Sequence, residues 1–243
     1  MQLEGKTAIV TGGSSGIGYA IASAYVDEGA NVVVANRNVD DGEAAANELG
    51  CTFVRTDVSD YEQVSALVDV TVEEFGALDV IVNNAGVGSE SSVGDMTLEE
   101  WHRVVDVDLS GVMYGTKAAL PHLLESEGFV VNVASIYGLV GGRGAAAYSA
   151  AKGGVVNFTQ QVAVDYAEAG LNVNSICPGF VETPMTSELL ESDRFYEILL
   201  DETPMNRPAQ PEEIAPLAVF LASEGATYVT GANIPVDGGW TAH

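Results

Sequence analysis

Thr11-Gly12-Gly13-Ser14-Ser15-Gly16-Ile17-Gly18 follows the apolar run Thr7–Val10 and opens onto a helical pattern over residues 17–28. A buried strand that passes through spaced glycines into a helix is the joint at which an open α/β sheet holds a pyrophosphate. Gly12 permits the tight turn, Gly16 lets backbone approach a phosphate, and Gly18 lets helix and strand touch. The helix start adds free N–H groups and the positive end of its dipole. Glycine-rich turns also serve as plain structural joints, so the rest of the chain has to corroborate this one. The spacing is T-G-x3-G-x-G rather than the G-x-G-x-x-G fingerprint.

Outward from that joint, short β-branched runs alternate with amphipathic stretches. Strands are expected at Thr7–Val10, Asn31–Ala35, Thr52–Arg55, Val80–Val82, Phe129–Val133, Asn172–Ile176 and Asn233–Val236. Helices are expected near 17–28, 40–49, 60–75, 97–124, 146–169 and 211–222. Near-continuous apolar strands separated by helices predict a parallel sheet covered on both faces, a doubly wound α/β (Rossmann) fold of about seven strands. One domain is expected over 1–243. The polar, acidic stretch 185–207, carrying Phe195, Tyr196 and Leu199, breaks the alternation and reads as an inserted substrate loop.

Composition narrows the partners. The chain of 243 residues carries 35 acidic and 9 basic residues, a net charge of −26, with 47% hydrophobic content. The apolar content excludes a disordered acidic chain. The carboxylates argue against nucleic acid or an anionic membrane as partner. A carboxylate-covered surface almost free of lysine suits a protein working in concentrated salt, and a halophilic source is expected. Cys51 and Cys177 lie far apart in apolar runs and read as buried free thiols. The scattered His102, His122 and His243 offer no zinc spacing, so no metal is expected. The N-terminus lacks a signal pattern and no apolar run reaches membrane-spanning length, which makes the cytoplasm the expected location.

Two further places carry chemistry. The second strand ends Val34-Ala35-Asn36-Arg37-Asn38. An acidic residue at the position of Asn36 would bind a ribose 2′-hydroxyl, whereas an arginine such as Arg37 accepts a 2′-phosphate, so NADP is favoured over NAD. Farther on, Tyr148-Ser149-Ala150-Ala151-Lys152 puts one of only three lysines (Lys6, Lys117, Lys152) a helical turn after a tyrosine, on the same helix face. A phenol titrates near pKa ~10, and lowering it by ~3 units takes roughly 4 kcal/mol. A cation about 4 Å away at an effective dielectric near 20 supplies about that much. Taken alone, the pair reads more readily as a surface tyrosine followed by a solvated lysine.

Together, the glycine loop, Asn83-Asn84-Ala85-Gly86, Ser135 thirteen residues before Tyr148, and the Tyr148/Lys152 pair make the chain resemble the short-chain dehydrogenase/reductase family along essentially its whole length. Cys177-Pro178-Gly179 with Thr183, Asp57-Val58, Arg207 with Pro211-Glu212-Glu213-Ile214, and Val236-Asp237-Gly238-Gly239 also match family habit.

The resemblance implies that Ser135, Tyr148 and Lys152 are catalytic. Tyr148 would exchange a proton with the substrate oxygen, Lys152 would tune the phenol and hold the nicotinamide ribose, and Ser135 would donate to the substrate oxygen. Ser135 could instead cap a strand end. The resemblance also implies cofactor contacts from Gly12, Ser14, Ser15, Gly16, Ile17, Gly18, Asn36, Arg37, Asp57, Val58, Asn84, Ala85, Gly86, Tyr148, Lys152, Pro178, Gly179, Val181 and Thr183. Asp108 departs from the pattern: it stands where the family carries a catalytic asparagine, which helps hold a water beside the lysine. An ionised carboxylate there would attract Lys152 and partly offset its effect.

The implied activity is hydride transfer between NADP (alternatively NAD) and a secondary alcohol or ketone. A 3-oxoacyl reductase or a sugar (glucose 1-) dehydrogenase are alternatives on the same scaffold. From other classes come a halohydrin dehalogenase-like lyase and a non-catalytic nucleotide-binding protein; the intact loop, Ser135, Tyr148 and Lys152 argue against both. Ile136, Tyr137, Val87–Ser92, Phe180, Met185 and Leu189 should wall the substrate pocket, with Arg143 and Arg194 as the entrance cations an acyl carrier would need. The resemblance implies a homotetramer, or a homodimer, built through the two long helices and the last strand.

Overall fold

Val, Ile and Ala alternate along the central strands so that each strand presents apolar side chains to both faces, and that pattern sets the layers. The computed structural model describes residues 1–89 and 91–242. The side chains of Asp193, Arg194, Phe195, Ile198 and Leu200 lie outside the described residues, and with them Arg194 as an entrance cation. Strands β1 (Thr7–Thr11), β2 (Asn31–Asn36), β3 (Thr52–Arg55), β4 (Val80–Asn83), β5 (Phe129–Val133), β6 (Asn172–Pro178) and β7 (Asn233–Val236) form one sheet in the order 3-2-1-4-5-6-7. Every neighbouring pair is parallel.

Helices cover both faces. Ala8, Val10, Val34, Val82, Val131 and Ile176 pack against α1 (Gly16–Asp27) and α9 (Ala215–Leu221). Ile9, Val33, Ile81, Val130 and Val173 pack against α3 (Tyr61–Phe75), α5 (Gly111–Glu125) and α6 (Ala146–Tyr166). Each of the valines and isoleucines among them, taken fully out of water, contributes roughly 1.5–3 kcal/mol. The fully buried Tyr25 of α1 donates its hydroxyl to the Ala218 carbonyl of α9 at 2.9 Å, tying the two helices together.

Sequence-local capping explains where helices begin. Asn38 caps α2 (Val39–Leu49), Asp60 caps α3, and Thr97 caps α4 (Leu98–Val105), each through its side chain. α1 differs: its N-cap, Ser15, makes no side-chain cap, and no acidic residue lies in its first turn.

The pattern over 97–124, expected as one helix, is interrupted. A π turn at Asp106–Ser110 separates α4 from α5 and holds Asp108 fully buried. Such a turn inserts a residue without breaking backbone bonding, so hydrophobic periodicity does not betray it. The stretch 185–207 is helical in part, with α7 (Ser187–Leu190) and α8 (Asp193–Glu202). Cys177 is buried as expected, but Cys51 is only half-buried. Among the described residues no helix is long and apolar enough to cross a membrane.

Candidate active site

The strand order reverses between β1 and β4, where crossovers leave in opposite directions and open a crevice at the carboxyl ends of the strands. A cleft open to solvent occupies that place. Every residue expected to be catalytic or cofactor-binding borders it. Ala35, Thr56, Val107 and Ala134 border it as well, without a sequence signal beyond adjacency to those residues.

At one end the glycine loop forms a cradle that side chains would fill. A Cβ on Gly18 would come within 2.2 Å of the Gly12 carbonyl oxygen and 2.4 Å of Asn84 Nδ2. Gly16 has φ +53 and faces Thr183, whose Cγ2 would lie 3.1 Å from a Cβ there. Thr11 fixes the neighbouring loop: its Oγ1 accepts from the Asn84 and Ala85 N–H groups at 3.0 and 3.1 Å and donates to the Val82 carbonyl. Asn84 returns its side-chain amide to the Thr11 carbonyl at 2.9 Å. These bonds, with the uncapped start of α1, leave backbone donors facing a recess of small residues.

Beyond the loop, the Asn36 side chain is committed within the chain. Its amide donates to Ser14 Oγ, and its carbonyl accepts from the Arg37 N–H at 2.8 Å. Arg37 extends into solvent, 62% exposed, with a nitrogen 3.9 Å from Asp57 Oδ2. Asp57 Oδ1 in turn accepts from the backbone and hydroxyl of Ser59 at 3.0 and 2.7 Å.

At the other end lie Ser135, Tyr148 and Lys152. Ser135 accepts from the Tyr137 N–H at 3.1 Å, so it does cap the turn Ile136–Gly138, yet that bond uses a lone pair and leaves the proton available. Lys152, 3% exposed, donates to the Val133 carbonyl at 3.0 Å and lies 5.6 Å from the centre of the Tyr148 ring.

Asp108 completes the group. Its Oδ2 is 3.6 Å from Lys152 Nζ and lacks a hydrogen bond, while Oδ1 accepts from the Val87 N–H at 2.8 Å. Burial pushes the Asp108 carboxyl above the usual carboxylate range, against the pull of Lys152 and the Val87 N–H. Burial pulls the Lys152 ammonium down, but the charge of Asp108 and then Tyr148 more than offset it, and it ends above the usual lysine value. The Gly86 backbone lies close by: a Cβ there would be 3.2 Å from Asp108 Oδ2.

Asn83 turns away from this group. Its amide donates to Asn132 Oδ1 and Thr116 Oγ1 at 2.9 and 3.2 Å, and Asn132 donates to Thr159 at 2.9 Å, bracing β4 and β5 against α5 and α6. Tyr137 packs edge-on between Phe180 and Trp240, ring centres 6.1 and 6.0 Å away. Trp240 comes from the C-terminal segment, which carries no sequence sign of approaching the site. Arg143 is exposed.

A protein-family model described as Enoyl-(Acyl carrier protein) reductase matches residues 12–241. The chain is 42% identical over 247 residues to the meso-2,3-butanediol dehydrogenase of Serratia marcescens, covering 100% of this chain and 97% of that one. It is 40% identical over 250 residues to the NADP-dependent (R)-specific alcohol dehydrogenase of Lentilactobacillus kefiri, covering 99% and 98%. To the 3-oxoacyl-acyl-carrier-protein reductase FabG of Chlamydia trachomatis serovar D it is 39% identical over 244 residues, covering 98% of each. Among solved structures, the crystal structure of gox2181 superposes with a TM-score of 0.97 at 34% identity, covering 100% of this chain and 98% of that one.

Proposed function

This chain belongs to the short-chain dehydrogenase/reductase family, and from that membership we propose a nicotinamide-dependent alcohol dehydrogenase or carbonyl reductase. The observation that carries this reading is one cleft bordered at one end by the glycine cradle and at the other by Ser135, Tyr148 and Lys152.

The cradle fits a dinucleotide. Gly12, Ser14, Ser15, Gly16, Ile17 and Gly18 would hold the pyrophosphate at the uncapped start of α1. Asp57 and Val58 would border the adenine. Asn84, Ala85, Gly86, Pro178, Gly179, Val181 and Thr183 would border the nicotinamide half. Arg37 would take a 2′-phosphate; with no carboxylate at Asn36 to favour a free ribose hydroxyl, NADP is the preferred cofactor and NAD the alternative. When bound, the nicotinamide supplies or accepts the hydride.

The chain's own residues handle the proton. In reduction Tyr148 gives its phenolic proton to the carbonyl oxygen, and in oxidation it takes one from the hydroxyl. Ser135 donates to the same oxygen and stabilises the charge that develops there. Lys152, anchored by the Val133 carbonyl, places positive charge beside the phenol and would hold the nicotinamide ribose. Asp108 positions and partly neutralises that charge.

The substrate is a secondary alcohol or ketone, received beside Val87 and Met185. The test pairs nucleotide titration with a panel of secondary alcohols, a sugar and a 3-oxoacyl ester, followed at 340 nm. Turnover on any of them, with NADP+ binding weakened about tenfold or more in Arg37→Ala, is the expected result; binding of neither nucleotide refutes the reading. A homotetramer or homodimer is the assembly we favour, since Val164 on α6 and Tyr228 before β7 are 77% and 103% exposed. Light scattering on the purified protein tests it, and a monomer would refute it.

A further inference from the structure

Asp57 stands beside the arginine proposed to take a 2′-phosphate. It is the partner of Arg37, 3.9 Å away, and its other oxygen is fixed by Ser59, so it cannot easily turn aside. Asp40 and Asp41 follow within the first turn of α2, both exposed. Asn36 adds no charge and is tied up by Ser14 and the Arg37 N–H. The end of the cleft that would read the ribose therefore sets Arg37 against Asp57, with the exposed Arg55, paired with Asn36 in the strand register, as the other cation nearby, on a molecule of net charge −26.

A 2′-phosphate arriving there meets two opposed effects of different range. Contact with the guanidinium is short and hydrogen-bonded, and such contacts survive added salt comparatively well. Asp57 holds Arg37 only by a partly exposed ion pair at 3.9 Å, beyond hydrogen-bond distance, which salt weakens more readily than a hydrogen-bonded phosphate contact. Repulsion from Asp40, Asp41 and the remaining acidic surface acts over longer distances. Salt removes that part first, because the Debye length falls from about 10 Å at 0.1 M to about 3 Å at 1 M. Added salt weakens phosphate binding where long-range attraction drives it; here the long-range contribution has the opposite sign.

We propose that Asp57 is a cofactor-selectivity residue: it competes with a nucleotide 2′-phosphate for Arg37, so that preference for the phosphorylated nucleotide is suppressed at low ionic strength and restored at high. This rests on the proposed nicotinamide-dependent activity and specifies how its cofactor is chosen. Neither Asp57 nor Arg37 touches the reacting atoms, so the effect belongs to binding rather than to the chemical step.

The test is equilibrium titration of NADPH and NADH, by their own fluorescence, from 2 M KCl down to the lowest concentration that leaves the far-ultraviolet circular dichroism unchanged. The expected result is an NADPH-to-NADH affinity ratio that rises with salt, by about tenfold between 0.1 and 2 M. Asp57→Asn keeps the acceptor for Ser59 and removes the charge. It should raise the ratio about fivefold at the lowest salt and much less at 2 M. Arg37→Ala should lower the ratio at every salt. A ratio that falls or stays flat as salt rises, or an Asp57→Asn ratio equal to wild type at the lowest salt, overturns the proposal while leaving the dehydrogenase reading standing. Binding of neither nucleotide at any salt overturns that reading itself.

Discussion

Lys152 is held between the Val133 carbonyl at 3.0 Å and Asp108 Oδ2 at 3.6 Å, and the second contact decides what charge Tyr148 meets. With Asp108 ionised, the buried pair presents little net charge to the phenol. Asp108→Asn leaves a bare ammonium in the same place, which favours the phenolate. The other groups facing this spot are Arg103 of α4, which adds to the pull on Asp108, and Cys177 of β6, which adds to the rise of Lys152. Both persist in the variant, so the sign is set by the lost carboxylate. The rate–pH profile for alcohol oxidation should move to lower pH by roughly one unit in Asp108→Asn. Asparagine still accepts the Val87 N–H, so the loop stays in place and a shift reports charge. Superimposable profiles from neutral to alkaline pH would refute it. The Asp108–Lys152 relation was legible only through the family resemblance, which sets position 108 beside the lysine. The Val87 contact was not, because it depends on how the segment after β4 folds back over the π turn.

At the scale of elements, the cleft depends on a seam between the loops after β1 and β4, and Thr11 is its centre. The 3% exposed hydroxyl accepts the Asn84 and Ala85 N–H groups and donates to the Val82 carbonyl. Thr11→Val keeps the shape and strands those N–H groups in the interior, a loss of about 2–3 kcal/mol. A urea unfolding midpoint should fall accordingly, nucleotide affinity should fall with it, and Thr11→Ser should recover most of both. Unchanged affinity in a destabilised Thr11→Val would show that the seam serves stability alone.

The strands themselves were legible because buried parallel strands are apolar runs with little else to be. Their carboxyl ends were not: Thr11, Asn36, Asn83 and Cys177-Pro178 look like turn residues, yet they continue β1, β2, β4 and β6. Asn36 and Pro178 border the cleft, while Thr11 and Asn83 brace the loops and strands behind it, so local pattern yields there to site geometry. The π turn was hidden for a related reason, since Val104, Val107 and Val112 keep an apolar face through it.

For the molecule as a whole, the fold and the cleft were written in spacing, whereas substrate choice was not. The side proposed to receive substrate draws on residues far apart in sequence: Trp240 reaches Tyr137 from 103 residues away. What composition does foretell is how stability responds to salt. Nine cations face 35 carboxylates, and the ion pairs among the described residues are few and mostly at the surface, such as Arg207 with Glu213 at 2.6 Å. Such exposed pairs contribute little each, so they cannot offset the repulsion summed over the remaining carboxylates. Folding gathers those charges together and unfolding relieves them, so screening should favour the folded state. The thermal midpoint should rise with KCl and level off near 1 M, where the Debye length is about 3 Å. Sucrose at matched osmolality strengthens burial through exclusion from the surface without screening charge, and should reproduce only a small part of the rise. A midpoint that is flat in KCl from 0.1 to 2 M, or equal gains from sucrose, would mean that the acidic surface does not limit stability, and that the carboxylates serve solubility instead.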